Sequence, residues 1–105
     1  MQGQGQGPVL RKIFLGLIQV HILYHAKKEP FYGSWMIEEL ESHGYEISAG
    51  TLYPILHNLE KMGLLSVESK TENGKARKYY TITKQGEIIL DEAKKRIKEL
   101  SGEVT

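Results

Sequence analysis

The chain has no cysteine, one tryptophan, three prolines and a single aspartate (Asp91) in 105 residues. Without thiols, disulfides and thiolate metal sites are excluded. With one aspartate and four scattered histidines, no nucleophile with an acid–base pair stands out. Nothing therefore points to an enzyme or calls for a cofactor. A large charge excess is missing too, since 14 basic residues face 13 acidic ones for a formal charge of +1. The longest apolar stretch, about Phe14 to Tyr24, is interrupted by Gln19 and His21 and reads as too short to span a bilayer. No basic-then-apolar leader opens the chain, and its Gln/Gly-rich start predicts a flexible tail over residues 1–8. There is no internal repeat. These absences predict a cytoplasmic protein that does not meet a membrane.

The charge that is present is unevenly spread. Residues 29–46 carry Glu29, Glu38, Glu39, Glu41 and Glu46 with no lysine or arginine. Residues 70–84 carry Lys70, Lys75, Arg77, Lys78 and Lys84 against Glu72 alone. Screening confines a surface field to roughly 10 Å, so a local basic patch attracts phosphates even on a neutral chain. At this length the chain forms one small domain.

Hydrophobic spacing predicts four helices and one hairpin. The first helix runs from about Val9 to Lys28, where Leu10, Ile13, Phe14, Leu17, Ile18 and, further on, His21 and Ile22 follow helical spacing. Leu15, Val20 and Leu23 make its other side apolar as well. Such a helix needs cover on both sides, from a second subunit or, alternatively, from its own domain. Pro30 breaks the chain, and a second helix from about Tyr32 to His43 buries Trp35 or Met36 with Ile37 and Leu40. Gly44 stands where a C-cap glycine belongs. After a crossover, Ser48 or Thr51 is available to cap a third helix whose buried stripe is Leu52, Ile55, Leu56 and Leu59. Proline in a helix interior costs about 3 kcal/mol, so Pro54 predicts either a Thr51 cap or a bend near the start. Met62-Gly63 closes this helix.

Leu65, Val67 and Ser69 then alternate with polar residues, as in a strand with one buried face. Asn73-Gly74 is a two-residue hairpin signal, because both central positions of a type I′ turn need positive φ. Lys78, Tyr80 and Ile82 alternate on the return strand. Thr83 caps a last helix in which Leu90, Ala93, Ile97, Leu100 and Val104 recur at 3-4-3-4 spacing. That coiled-coil-like seam is expected to meet the same seam on a second copy.

The expected fold is mostly α with a small β-hairpin. Residues 9–83 form a winged helix-turn-helix, and residues 84–105 form a C-terminal dimerisation helix. The third helix seats its apolar stripe on the domain and leaves Ser48, Thr51, Tyr53, His57, Asn58 and Lys61 for DNA. The N-terminal residues of such a helix reach base edges. Thr51, Tyr53 and His57 are therefore candidates for bases or adjacent phosphates, and Lys61 for backbone. On the wing, Arg77 suits a narrow minor groove and Lys75 suits phosphates. Lys78 joins them, although alternation also allows its stem to turn towards the core. A polar helix face alone is usually just solvated; the basic wing beside it favours DNA contact. His21 and His25 fall at i, i+4, a spacing that places two imidazoles on one metal, but no third ligand is evident and no metal site is assigned. A metal-responsive regulator using this pair is one alternative. A winged-helix protein-interaction module is another, and it would lack positive charge on the wing.

The chain resembles the PadR family of bacterial and archaeal transcriptional regulators over about residues 13–90. The matching residues are Tyr32-Gly33 with Ile37 and Leu40, then Ser48 to Leu56 with Leu59-Glu60 and Gly63-Leu64, and finally Arg77 to Thr83 with Gly86. The resemblance implies a homodimeric repressor on a palindromic operator of double-stranded DNA. It implies a dimer built by the last helix together with the first, which adds Leu10 and Phe14 to the seam, and release by a small-molecule effector in some members. A single helix after the wing resembles the short branch of the family. Members with a drug pocket between subunits can place a tryptophan in that helix, whereas Trp35 is the only one here.

Overall fold

Proline at a first helical position gives up only an N–H that would have no partner there, and Pro8 starts the first helix in this way. The computed structural model describes residues 7–105. Its order is α1 (Pro8–Lys28), α2 (Gly33–Ser42), α3 (Ala49–Lys61), β1 (Leu65–Glu72), β2 (Lys75–Ile82) and α4 (Lys84–Val104). Most of the tail expected at residues 1–8 lies outside the described residues, and Pro8 is already helical.

α1 matches the helix expected from Val9 to Lys28 and starts one residue earlier. The whole helix is longer than the Phe14–Tyr24 run, and one 18-residue window of it reaches a mean hydropathy of 1.2, so by length and composition alone it is long and apolar enough to cross a membrane, a test that the core helices of soluble proteins also pass. One side of it packs on the domain, with Ile18, Ile22, Leu23 and Ala26 buried and contacts to α2, β2 and α4, although only 22% of that window is buried. Val9, Ile13 and Tyr24 stay exposed on its other side.

After Pro30, Phe31 exchanges two backbone hydrogen bonds with Tyr80 at 3.2 and 2.8 Å, tying the α1–α2 link to β2. In α2, Met36 and Leu40 are fully buried while Trp35 and Ile37 are half-buried. Both α2 and α3 end in paired bonds from the two residues beyond the cap. For α3 these run from Gly63 N–H to Glu60 and from Leu64 N–H to Leu59, each at 2.9 Å.

Ser48, not Thr51, caps α3; its hydroxyl accepts the Thr51 N–H at 3.3 Å. The helix thus starts at Ala49 and Pro54 falls inside it. The carbonyl of Gly50 loses its partner there, near the helix start and on an exposed side. Strands β1 and β2 pair antiparallel from Leu65↔Ile82 to Glu72↔Lys75. Asn73 and Gly74, with φ of 51° and 78°, form the expected turn.

Thr83 caps α4 by accepting the Gly86 N–H at 3.0 Å, and its hydroxyl donates to the Gly63 carbonyl at 2.6 Å. Gly86 presses so closely on the chain that a Cβ there would sit 2.2 Å from the Leu64 carbonyl oxygen. Ile18, Ile22, Met36, Leu40, Leu52, Leu56 and Leu90 form the fully buried centre. This is a winged helix-turn-helix with one further helix.

Candidate nucleic-acid interface

The buried stripe of α3 turns Tyr53, His57 and Lys61, four residues apart, to the opposite side, and all three are exposed together with Pro54. Ser48 and Asn58 are exposed at its flanks. Thr51 is half-buried, and its hydroxyl accepts from Ser48 Oγ at 3.3 Å, so it is partly engaged in the cap.

Tyr53 is braced rather than free. Its ring lies on Gly33 at the start of α2, where a Cβ would come within 2.3 Å of the Tyr53 hydroxyl. The wing approaches the same point. The Arg77 guanidinium stacks 4.3 Å from the Tyr32 ring centroid, a cation–π arrangement that holds the charge without neutralising it. Tyr32 in turn meets Tyr79 edge-on at 5.6 Å. The Tyr79 hydroxyl donates to Glu72, and Lys70 lies 5.4 Å over the Tyr79 ring. Tyr32, Gly33, Ser34, Tyr53, Ala76, Arg77 and Lys78 enclose a shallow cleft of 220 Å³.

The wing residues Lys75, Arg77 and Lys78 are all exposed. Lys78 does not turn inward, because the buried face of β2 begins at Tyr80 and the hairpin beyond it overhangs the core. A second groove of 420 Å³ runs past His57, Asn58 and Lys61 to Gln19 of α1. The row on α3 therefore divides, with Tyr53 towards the wing and His57 to Lys61 towards α1. Sequence reasoning missed Tyr32 and Ser34 as neighbours of the site. Tyr32 did carry a signal, as part of the Tyr32-Gly33 pair in the family resemblance, whereas Ser34 carried none.

The seam residues separate by environment. Leu90 is wholly buried in the chain's own core, which corrects its placement at a dimer interface. The Thr83 cap and Gly86 dock the first turn of α4 on the domain, so Leu90 points inward. Leu10, Phe14 and Ala93 are half-buried, whereas Ile97, Leu100 and Val104 are 43%, 57% and 70% exposed. His21 and His25 do share a face of α1, and tertiary packing brings His43 to them.

Comparison with known proteins agrees with this geometry. Residues 22–92 match the Transcriptional regulator PadR-like family. The transcriptional regulator Rv3488 of Mycobacterium tuberculosis is 41% identical over 95 residues, 90% of this chain and 89% of that protein. A PadR-like transcription factor from Bacteroides fragilis superposes with a TM-score of 0.79 at 36% identity, covering 91% of this chain and 94% of its own. A PadR-like transcriptional regulator from Bacillus cereus gives 0.81 at 33% identity over 89% and 92%. With the family match spanning the helix-turn-helix, the wing and the start of α4, the chain belongs to the PadR-like family of transcriptional regulators.

Proposed function

We propose that the chain binds DNA sequence-specifically as a homodimer and represses transcription from a palindromic operator. The observation that carries this reading is the meeting of the Tyr53 row of α3 with Arg77 of the wing across Tyr32 and Gly33. From Tyr53 to Lys61 the row extends about 12 Å at the helical rise, the width of a DNA major groove. A duplex lying on it meets Arg77, Lys75 and Lys78 at its edge. Ser48, Thr51, Tyr53, His57 and Asn58 would face bases and nearby phosphates, and Lys61 the backbone.

The apolar surface left on α1 and α4 supports the dimer. Val9, Ile13, Ile97, Leu100 and Val104 are exposed, a collection that a monomer rarely leaves to water. A two-fold protein reads a two-fold site with half-sites about one helical turn apart, or a multiple of it. Repression, and release by an effector, rest on the family resemblance. A groove of 520 Å³ between α1 and α4, lined by Leu17, Val20, His21, Tyr24 and Ile97 among others, is large enough for a small effector and supports that part of the reading. Footprinting on the region upstream of the protein's own gene tests the reading, with protection of an inverted repeat expected. Equal affinity for that region and for random DNA would sink it.

A further inference from the structure

Two i, i+4 pairs face each other where α1 packs beside α2. One is His21 and His25 on α1, and the other is Glu39 on α2 with His43 at its C-cap. Residues so spaced share one helix face, so four donor side chains converge. One ring nitrogen from each of the three histidines falls within 4.8 Å of the other two. The Oε2 atom of Glu39 lies 3.3 Å from Nε2 of His25 and 3.0 Å from Nε2 of His43. Zinc–nitrogen bonds of about 2.0–2.1 Å set tetrahedral ligand atoms roughly 3.3 Å apart. The two Glu39–histidine distances already stand near that spacing, and the three histidine nitrogens, within 4.8 Å of one another, need only close in.

We propose that His21, His25, His43 and Glu39 bind a divalent transition-metal ion, with zinc the best fit. Three imidazoles and one carboxylate are a borderline donor set that favours zinc over calcium or magnesium. Burial, and then the neighbouring His43 and His25, lower the His21 pKa below its usual 6.5. Burial likewise lowers that of His25. Glu39 opposes both shifts, and a lowered pKa favours the neutral ring, the form that offers a lone pair to a metal. The ion would staple α1, which carries exposed dimer-type surface, to α2, which braces Tyr53. That link makes zinc an effector of operator binding. This second step rests on the DNA-binding reading above; the metal site does not.

Titration of the metal-free protein with zinc by calorimetry, and with cobalt by visible absorption, tests the site without DNA. One ion per chain and intense tetrahedral cobalt bands are expected. His43 is 45% exposed at a helix end, so His43→Ala keeps the fold, which circular dichroism checks. It should weaken zinc binding by at least roughly tenfold, and Glu39→Gln should weaken it as well. At the same zinc concentration the melting temperature of the parent chain should rise more than that of His43→Ala. Absence of stoichiometric binding, or equal affinity in His43→Ala, would overturn the site. Tight zinc binding that leaves operator affinity unchanged would overturn its regulatory role alone.

Discussion

A tyrosine on the outward side of a helix ordinarily swings through several rotamers, but Tyr53 rests on the bare backbone of Gly33. Pre-orientation lowers the entropy lost when such a side chain binds. Tyr53→Ala should weaken specific binding by about 1–3 kcal/mol if the ring reads a base. Loss of the same size on random DNA, seen by gel shift or anisotropy, would mean that Tyr53 positions the helix without reading sequence. Gly33→Ala probes the brace. The new methyl displaces the end of a flexible side chain rather than backbone, so the melting temperature should hardly move while operator affinity falls. A large drop in melting temperature would show that Gly33 serves the fold instead. Arg77, stacked on Tyr32, carries its charge to the edge of the same surface. Arg77→Ala should flatten the slope of log affinity against log salt by about 0.9, the value of one phosphate contact. An unchanged slope would remove it from the backbone contacts.

Helices and strands reach their places through a few tight joints. The wing hangs from Tyr80, which bonds the backbone of Phe31, and from Thr83, which bonds Gly63. Gly86 is the closest joint, because α4 can lie against Leu64 only where there is no side chain. Gly86→Ala forces a methyl against a backbone carbonyl, which cannot rotate away as a side chain can. The expected penalty is about 1–3 kcal/mol, the usual range for overpacking. For a domain of this size each kcal/mol lowers the melting temperature by roughly 4–8 °C. Calorimetry reads that shift, and an unchanged melting temperature would show that α4 moves aside without penalty. Element boundaries were legible from capping chemistry. Ser48, Thr83 and Asn73-Gly74 stand where short-range hydrogen bonding puts them. Pro54 did not make Thr51 the cap, because an exposed turn near the helix start also tolerates the lost bond.

At the scale of the whole molecule, α1 and α4 decide how many readers act together. Ile97 is 43% exposed in the single chain, so Ile97→Glu leaves the domain's own core intact while charging the proposed seam. Sedimentation should then show monomers that bind operator poorly, and a stable dimer would remove this part of α4 from the interface. The periodicity of apolar residues carried the four helices, the hairpin and their order, because burial of one face is written locally at spacings of two and of three to four. The outward row of α3 and the basic wing were legible for the same reason: what is not in the stripe faces away from it. Contacts between residues distant in the chain were not legible. The sequence by itself determined a winged helix-turn-helix with a polar reading face, since propensity, turn chemistry and periodicity all act over a few residues. Only the tertiary structure drew Leu90 into the core, set Tyr53 on Gly33 beside Arg77, and carried His43 to His21 and His25. Packing settles those placements, through the close approach of α2 to α1 and α3 and of α4 to Leu64, and no local pattern records them.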